Sequence, residues 1–241
     1  MNTQEYKDAD YLKKYEDKVE THKLVPFKKI IELAEVKEGM RILDIGSGSG
    51  DLTYEMSSLG ASLIGLDSSK QWVDKCIKRY KTDQNLSFIQ GNATNLPFKD
   101  SSFELVIMNM VLLNVEKEQD VEKIINEISR VLKKGGRLIF SDLHPVCIMT
   151  TKYKNRFQEY SKNFSYFKNG DRYTVGVKLD SKNKISFKNR HWTLEFYTKL
   201  LAKSGLYISR ISEPTYDNKA PLKLRNYKIP EYILFLCNKL N

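Results

Sequence analysis

The segment Ile42-Leu43-Asp44-Ile45-Gly46-Ser47-Gly48-Ser49-Gly50 constrains this chain more than any other. A short apolar run carrying one acidic residue enters a turn in which every second residue is glycine. Such a run reads as a buried parallel strand, because strands covered on both faces show no polar alternation. The glycines let the backbone take positive φ and let a ligand approach the main chain closely. A strand, a glycine turn and a following helix are the unit around which open α/β sheets place nucleotide ligands.

The rest of the chain supports that architecture. Residues 4–35 read as helical, with Leu24, Phe27, Ile30, Ile31 and Leu33 at roughly helical spacing, and Glu38-Gly39 ends the region. After the strand Arg41–Ile45 come a helix over Asp51–Ser58, a strand over Ser62–Leu66 and a helix over Ser69–Tyr80. Strands are expected over Leu86–Gln90 and Glu104–Met108. Residues 117–132 carry the apolar stripe Val121, Ile124, Ile125, Ile128, Val131 and Leu132, with Gly135-Gly136 at the expected C-cap and a strand over Arg137–Ser141 beyond it. The alternation stops after Pro145. Residues 149–192 are basic, aromatic and loop-like, with Asn169-Gly170 as a hairpin turn signal. It resumes with a helix over Thr193–Ser204, ended by Gly205, and with strands over Tyr207–Ile211 and Tyr232–Cys237. This pattern predicts a Rossmann-like, doubly wound, mostly parallel seven-stranded α/β sheet. The expected organisation is one domain over residues 1–241. It comprises an N-terminal helical cap (1–38), a cofactor-binding core (39–145), a lid inserted after the fifth strand (146–192) and the C-terminal part of the sheet (193–241). A late insertion of that kind belongs over the carboxyl ends of the strands, where such sheets bind ligands.

Composition removes several classes. The longest apolar stretch, Leu105 to Val115, is broken by Asn109 and Asn114 and is too short to span a bilayer. Met1 to Tyr6 is polar, with no apolar core of a secretory signal. Cys76, Cys147 and Cys237 are odd in number and widely spaced, which fits neither a disulfide framework nor a metal site. No His/Asp/Glu cluster has ligand spacing, so no metal is expected. These features point to a reducing cytoplasm. Forty Lys+Arg against 30 Asp+Glu give a net charge of +10. A basic surface attracts nucleic acid or anionic lipid, whereas joint enrichment in lysine, asparagine and tyrosine reflects composition bias without a partner.

The chemistry is concentrated in four places. A dinucleotide site would want glycine where Asp51 stands, and a carboxylate at a helix start repels pyrophosphate. With Asp44 in the strand end, this favours a ligand that presents a cation, such as an ammonium or sulfonium group. Asp67 closes the next strand, about twenty residues beyond the glycine turn, where a carboxylate can accept both hydroxyls of a ribose. Gly91-Asn92-Ala93-Thr94-Asn95-Leu96-Pro97-Phe98 follows the third strand, and a small polar side chain there can bond an adenine edge. Phe103-Glu104-Leu105-Val106 opens the fourth.

In that order and spacing, these four segments resemble the class I S-adenosylmethionine-dependent methyltransferases, and the resemblance covers nearly the whole chain. It implies S-adenosylmethionine as cofactor and assigns roles by position. Gly46, Ser47, Gly48 and Gly50 would contact the methionyl part, and Asp44 would hold its amino group. Asp67, with Ser68, would hold the ribose. Asn92 would face the adenine amine, with Ala93 and Thr94 at the ring. Asn109 and Met110 would sit beside the methionyl group and sulfonium. Asn92 departs from the family's usual aspartate, although its carbonyl still accepts a hydrogen bond.

Methyl transfer to a hydroxyl, amine or acidic carbon gains from a general base. His144, in Ser141-Asp142-Leu143-His144-Pro145, is one candidate, with a structural histidine opening a helix as the other reading. His191, in Arg190-His191-Trp192-Thr193-Leu194, is the second; it can also merely flank the cap at Thr193. Tyr11 and Tyr15 lie in the N-terminal helix, which in similar enzymes folds over the cofactor, and Tyr15 is a third candidate. The second half resembles a bacterial subgroup acting on small molecules, similar to the ubiquinone/menaquinone-type methyltransferases, and a monomer or homodimer is expected. RNA or tRNA modification is the alternative, because residues 152–199 carry twelve Lys/Arg, four Asp/Glu and eleven aromatics. Three absences weigh against it. No Asn-Pro-Pro-Tyr-like segment follows the fourth strand, no Pro-Cys nucleophile is present, and no separate RNA-binding module is visible. A non-catalytic S-adenosylmethionine-binding subunit is the third possibility.

Overall fold

The computed structural model describes residues 23–149, 156–178, 184–216 and 229–240. A π-helical turn, Lys23–Phe27, leads into α1 (Lys28–Ala34). Then come β1 (Arg41–Ile45), α2 (Asp51–Ser57), β2 (Ser62–Asp67), α3 (Lys70–Arg79), β3 (Leu86–Gln90) and β4 (Phe103–Asn109). They are followed by a 3-10 turn (Leu112–Asn114), α4 (Glu118–Val131), β5 (Leu132–Leu143) and α5 (Pro145–Met149). The remaining elements are β6 (Arg156–Tyr160), β7 (Arg172–Lys178), β8 (Lys184–Arg190), α6 (Leu194–Lys203), β9 (Leu206–Ser212) and β10 (Tyr232–Lys239).

Seven strands form one sheet in the order β3-β2-β1-β4-β5-β10-β9. The first five are parallel, and β10 runs antiparallel between β5 and β9. Alternate residues of each strand feed two apolar layers. Leu43, Ile45, Val106 and Met108 pack with Val121, Ile124, Ile125 and Ile128 of α4. Ile42, Leu105 and Ile107 pack with Ile30 and Leu33 of α1 and with Leu52 and Met56 of α2. Burying each such side chain contributes about 1.5–3 kcal/mol, which is why these runs carry no polar residue apart from Asp44. Glu118 and Asp120 in the first turn of α4 and Arg130 in its last complement the helix dipole. Strand order reverses between β1 and β4, and a crevice opens there at the carboxyl ends.

Three expectations need correction. Gly135-Gly136 does not cap α4. The helix stops at Leu132, which is extended, and the glycines lie inside β5, where its pairing with β4 shifts register between Phe103 and Leu105. The described residues within 149–192 are not all loop-like, because β6, β7 and β8 form a three-stranded antiparallel sheet. Asn169-Gly170 is no two-residue hairpin turn, since residues 161–171 all separate β6 from β7. Instead, Gly170 N–H donates to the His191 carbonyl, and Asn169 accepts from Thr193 N–H.

The small sheet rests on the segments that leave the carboxyl ends of β4 and β5. Tyr173 and Val175 join the apolar cluster of Leu143, Ile148 and Tyr232. The Arg190 guanidinium pairs with Glu116, and the Trp192 indole N–H donates to the Leu112 carbonyl at 2.8 Å. The N-terminal helix expected over residues 4–35 lies mostly outside the described residues.

Candidate active site

The glycine turn is built by close packing. Gly46 and Ser47 donate their N–H groups to the Leu66 carbonyl at 2.7 and 3.2 Å, which ties the turn to β2. At Gly46 (φ +72°) a Cβ would stand 2.6 Å from Val111 Cγ2. At Gly50 (φ +74°) it would stand 2.8 Å from Phe88 and 2.9 Å from Tyr80. The turn thus abuts the chain just past β4 on one side and the α3–β3 packing on the other.

Two carboxylates face this turn from neighbouring strands. Asp44, 2% exposed, accepts a 2.7 Å hydrogen bond from the Thr53 hydroxyl. Burial pushes its pKa up to about 7, the Thr53 bond opposes that rise, and the nearby Asp67 charge adds to it. Asp67 accepts from Gly48 N–H at 2.9 Å and from Ser69 N–H at 2.8 Å. Burial raises its pKa too, against those backbone bonds. Among the described residues, no lysine or arginine is bonded to either carboxylate.

Asp51 behaves otherwise than its position suggests. One oxygen accepts from the Ser49 hydroxyl at 2.7 Å; the other meets the Tyr80 hydroxyl at 3.1 Å and the Arg79 guanidinium at 3.2 Å. It braces the base of the turn, and Asp44 and Asp67 supply the negative charge facing it.

Next to Asp67 lies a cleft of about 420 Å³. It brings together Ser68, Asn92, Ala93 and Thr94, all singled out from the sequence, with Val115 and Ile124, which were not. Val115 ends an apolar stretch and Ile124 sits in the apolar stripe of the following helix, so both read only as packing residues. The Asn92 carbonyl accepts from Thr94 N–H at 3.0 Å and keeps its second lone pair. Asn109 ends β4, and Met110 follows it, just before the Val111 that Gly46 packs against. Met110 holds a left-handed backbone (φ +58°), a strained state for a non-glycine residue. Its N–H meets both the carbonyl and the hydroxyl of Ser141 at 3.2 Å, Asn114 donates to its carbonyl, and Asn109 accepts from the Ser141 hydroxyl at 2.6 Å. These bonds hold the kink beside the glycine turn.

The candidate bases separate. His144 lies against the start of α5, with Nδ1 accepting from Val146 N–H at 3.0 Å and Nε2 2.7 Å from Glu213. Both nitrogens are engaged, an arrangement that fits the structural reading of His144. His191 is 1% exposed. Its Nε2 donates to the Tyr166 carbonyl at 2.9 Å, whereas Nδ1 has no partner among the described residues. Burial lowers its pKa, which keeps the ring neutral. Tyr11 and Tyr15 lie outside the described residues. Sequence reasoning missed Thr53, Ser69 and the buried Asp142, whose carboxyl burial raises to about 7 and which accepts from the Tyr197 hydroxyl.

These residues fit S-adenosylmethionine on donor chemistry: a paired acidic wall for a cation, a carboxylate for a ribose, and a flat cleft with an amide for an adenine. Among the described residues no group of three or more His, Cys, Asp or Glu is placed to hold a metal, and no helix is long and apolar enough to cross a membrane.

Comparison with known proteins points the same way. Residues 43–140 match a family model described as "Methyltransferase domain". A demethylmenaquinone methyltransferase of Lactococcus lactis is 38% identical over 135 residues, which is 54% of this chain and 51% of that protein. The uncharacterized methyltransferase YcgJ of Bacillus subtilis is 32% identical over 136 residues, covering 54% and 53%. The match thus spans about half the length of these curated relatives. Among solved structures, a putative S-adenosylmethionine-dependent methyltransferase from Listeria monocytogenes superposes with a TM-score of 0.69 at 18% identity, over 89% of this chain and 96% of that one. An S-adenosylmethionine-dependent methyltransferase from Mesorhizobium loti gives 0.66 at 19% identity, over 88% and 96%.

Proposed function

We propose that this chain, a member of the class I S-adenosylmethionine-dependent methyltransferases, moves a methyl group from S-adenosylmethionine to a small-molecule acceptor. The observation that carries the reading is the acidic cradle. Asp44 stands buried and Asp67 half-buried beside the Gly46–Gly50 turn, bonded among the described residues to Thr53 and to backbone N–H groups rather than to a basic side chain. Two such carboxylates call for a cationic ligand.

When bound, the cofactor supplies a methyl group already activated by a positive sulfur. Asp44 then faces its ammonium, and Asp67 accepts from its ribose hydroxyls. Ala93, Val115 and Ile124 flank its adenine, with the Asn92 carbonyl at the amine. Asn109 and Met110 border the methionyl side. Residues 146–192 serve as a lid that excludes water from the reacting groups, which strengthens every electrostatic contact inside. The neutral His191 is the proton acceptor among the candidates. The reaction runs in the cytoplasm, a reading supported by three cysteines, Cys76, Cys147 and Cys237, that are buried and form no disulfide.

Two observations favour a small acceptor over RNA. The aromatics Tyr173, Trp192 and Tyr197 turn inward and are at most 3% exposed, whereas Lys162, Lys168 and Arg172 face outward, with Phe167 the one largely exposed aromatic among the described side chains of 152–199. A stacking surface for single strands would show the opposite arrangement. The demethylmenaquinone methyltransferases among the relatives support a quinone-type acceptor. The test supplies methyl-labelled S-adenosylmethionine with reduced demethylmenaquinone in one reaction and total tRNA in another. Label in the quinone fraction is expected. Label confined to the tRNA would replace this reading with the alternative.

A further inference from the structure

The glycine turn spends its own donors. Gly46 and Ser47 give their N–H groups to the Leu66 carbonyl, Gly48 gives its N–H to Asp67, and Gly50 gives its N–H to the Ser47 carbonyl at 2.9 Å. An α-amino acid held beside the turn carries a carboxylate as well as an ammonium. Asp44 and Asp67 suit the ammonium and repel the carboxylate. With those four N–H groups engaged, the anion needs a donor from another element.

Such a donor stands on β4. Asn109 pairs with Ser141 of β5, and the residue before it, Met108, pairs with Ile45 of β1. Asn109 is therefore level with the start of the glycine turn. It also shares a face of the sheet with Asp44. Asp44 pairs with Ile107, and Asn109 lies two residues beyond Ile107, so alternation returns it to the same side. On that side α2 sets Thr53 against Asp44.

A run of hydrogen bonds fixes which end of the Asn109 amide is left over. Met110 N–H can only donate, so Ser141 Oγ, 3.2 Å away, accepts there. Ser141 is 1% exposed, and the other partner of its hydroxyl is Asn109 at 2.6 Å. The hydroxyl proton therefore goes to Asn109, and the amide atom that receives it is Oδ1. Asn109 Nδ2 keeps both its protons, with no hydrogen bond among the described residues. An amide offering its oxygen would suit a sulfonium; one offering its nitrogen suits an anion. Ser141 also holds the left-handed Met110 (φ +58°), through its carbonyl as well as its hydroxyl, so one residue sets both the kink and the amide.

We propose that Asn109 Nδ2 binds the α-carboxylate of the nucleoside amino acid, and that Ser141 is the positioning residue that turns the amide to do so. Acids on β1 and β2 and an amide donor on β4 then match the two poles of a zwitterion. The chain thereby selects a nucleoside that bears a complete α-amino acid over one that bears an amine alone. This inference rests on the methyltransferase reading for its ligand, but its groups lie outside the acidic cradle.

The test measures binding of S-adenosylhomocysteine and of decarboxylated S-adenosylhomocysteine to the full chain by calorimetry. The two ligands share the nucleoside and the amine and differ in the carboxylate. The unaltered protein should bind the complete ligand at least about tenfold more tightly, the size of a hydrogen bond to a charged group. Asn109→Ala and Ser141→Ala should each weaken S-adenosylhomocysteine about tenfold and leave the decarboxylated ligand within about twofold. A merely structural serine would move both ligands alike. Asn109→Asp should weaken S-adenosylhomocysteine further than alanine does and tighten the decarboxylated ligand, because a third carboxylate repels one pole and attracts the other. If Ser141→Ala does not fold, the Asn109 variants carry the same comparison. Equal affinity of the two ligands for the unaltered protein, equal losses of both in an alanine variant, or tighter binding of S-adenosylhomocysteine by Asn109→Asp would each overturn the proposal alone. Absence of binding by either ligand would defeat the methyltransferase reading and this proposal with it, so the two failures are distinguishable.

Discussion

If Asp44 faces the cofactor's ammonium as proposed, its surroundings make cofactor binding depend on pH. Its carboxyl is almost fully buried, one oxygen holds the Thr53 hydroxyl, and its pKa stands at about 7 instead of 3.8. An ammonium group prefers the ionised form, so binding below pH 7 must first expel a proton. At pH 5.5 only about 3% of a group with that pKa is ionised, against about three-quarters at pH 7.5. Affinity for S-adenosylmethionine should therefore fall roughly 25-fold between pH 7.5 and 5.5, equivalent to about 2 kcal/mol. The ligand's own α-amino group, with an ordinary pKa of about 7.7–8.0, is about 60–75% protonated at pH 7.5, which trims the fall to roughly 15–20-fold without reversing its sign. Titration calorimetry in buffers of different ionisation heat should show close to one proton released at pH 6 and fewer at pH 8. Asp44→Asn should bind more weakly at pH 7.5 and lose the dependence. Thr53→Val removes the bond that favours the carboxylate and should shift the midpoint upward. An affinity that is flat from pH 5.5 to 7.5 in the unaltered protein would refute the placement of Asp44 against the ammonium.

Four further outcomes follow from particular contacts. In the ligand-free protein, Asp44 keeps its proton to about pH 7, whereas the unfolded chain releases it near 3.8. The stability contribution of Asp44 therefore falls by about 4 kcal/mol as pH rises from about 4 to about 7, and Asp44→Asn should flatten that loss in urea unfolding. Gly50→Ala puts a Cβ against Phe88 and Tyr80 at positive φ and should cost about 2–4 kcal/mol in the same assay; a cost below about 1 kcal/mol would contradict the packing. His144→Ala should keep turnover within a few fold and lower stability by about 1 kcal/mol, because its partner Glu213 is mostly exposed. A hundredfold loss of rate with an unshifted melting point would restore it as a base. Asp67→Asn leaves one acceptor for the two N–H groups of Gly48 and Ser69 and should weaken cofactor binding at least tenfold by calorimetry, with the fold intact by circular dichroism.

What the sequence showed and what it hid follow from the same physics. β1 begins and ends where its apolar run does, because a strand buried on both faces leaves a continuous signal, whereas β3, an edge strand in which only Phe88 is buried, was legible from Leu86, Phe88 and Ile89. α3 and α6 were legible through Ser69 and Thr193, whose hydroxyls accept the N–H of Trp72 and Phe196. Asp44, the glycine turn and Asp67 were legible because their residue types are chemically unusual at strand ends. The small sheet was hidden by its composition. Its strands carry lysine and arginine on the outward face, and the buried set Tyr173, Val175, Asn189 and His191 mixes apolar with polar groups. The period-two spacing of Tyr173 and Val175 was the signal available. Asp51 was read by position alone, but Ser49, Tyr80 and Arg79 come from turns and faces that only the fold brings together. The two roles open to His144 and His191 could be separated only by the partners of their ring nitrogens, and those partners lie 69 and 25 residues away.

The central claim is that Asp44, Asp67 and the Gly46–Gly50 turn form a site for a nucleoside carrying a cation. Calorimetric titration of the full chain at pH 7.5 with S-adenosylmethionine, and in parallel with a nicotinamide dinucleotide, tests it most directly. One S-adenosylmethionine per chain, with proton release at pH 6 and no heat from the dinucleotide, is the result this account predicts. Binding of the dinucleotide without binding of S-adenosylmethionine would contradict it.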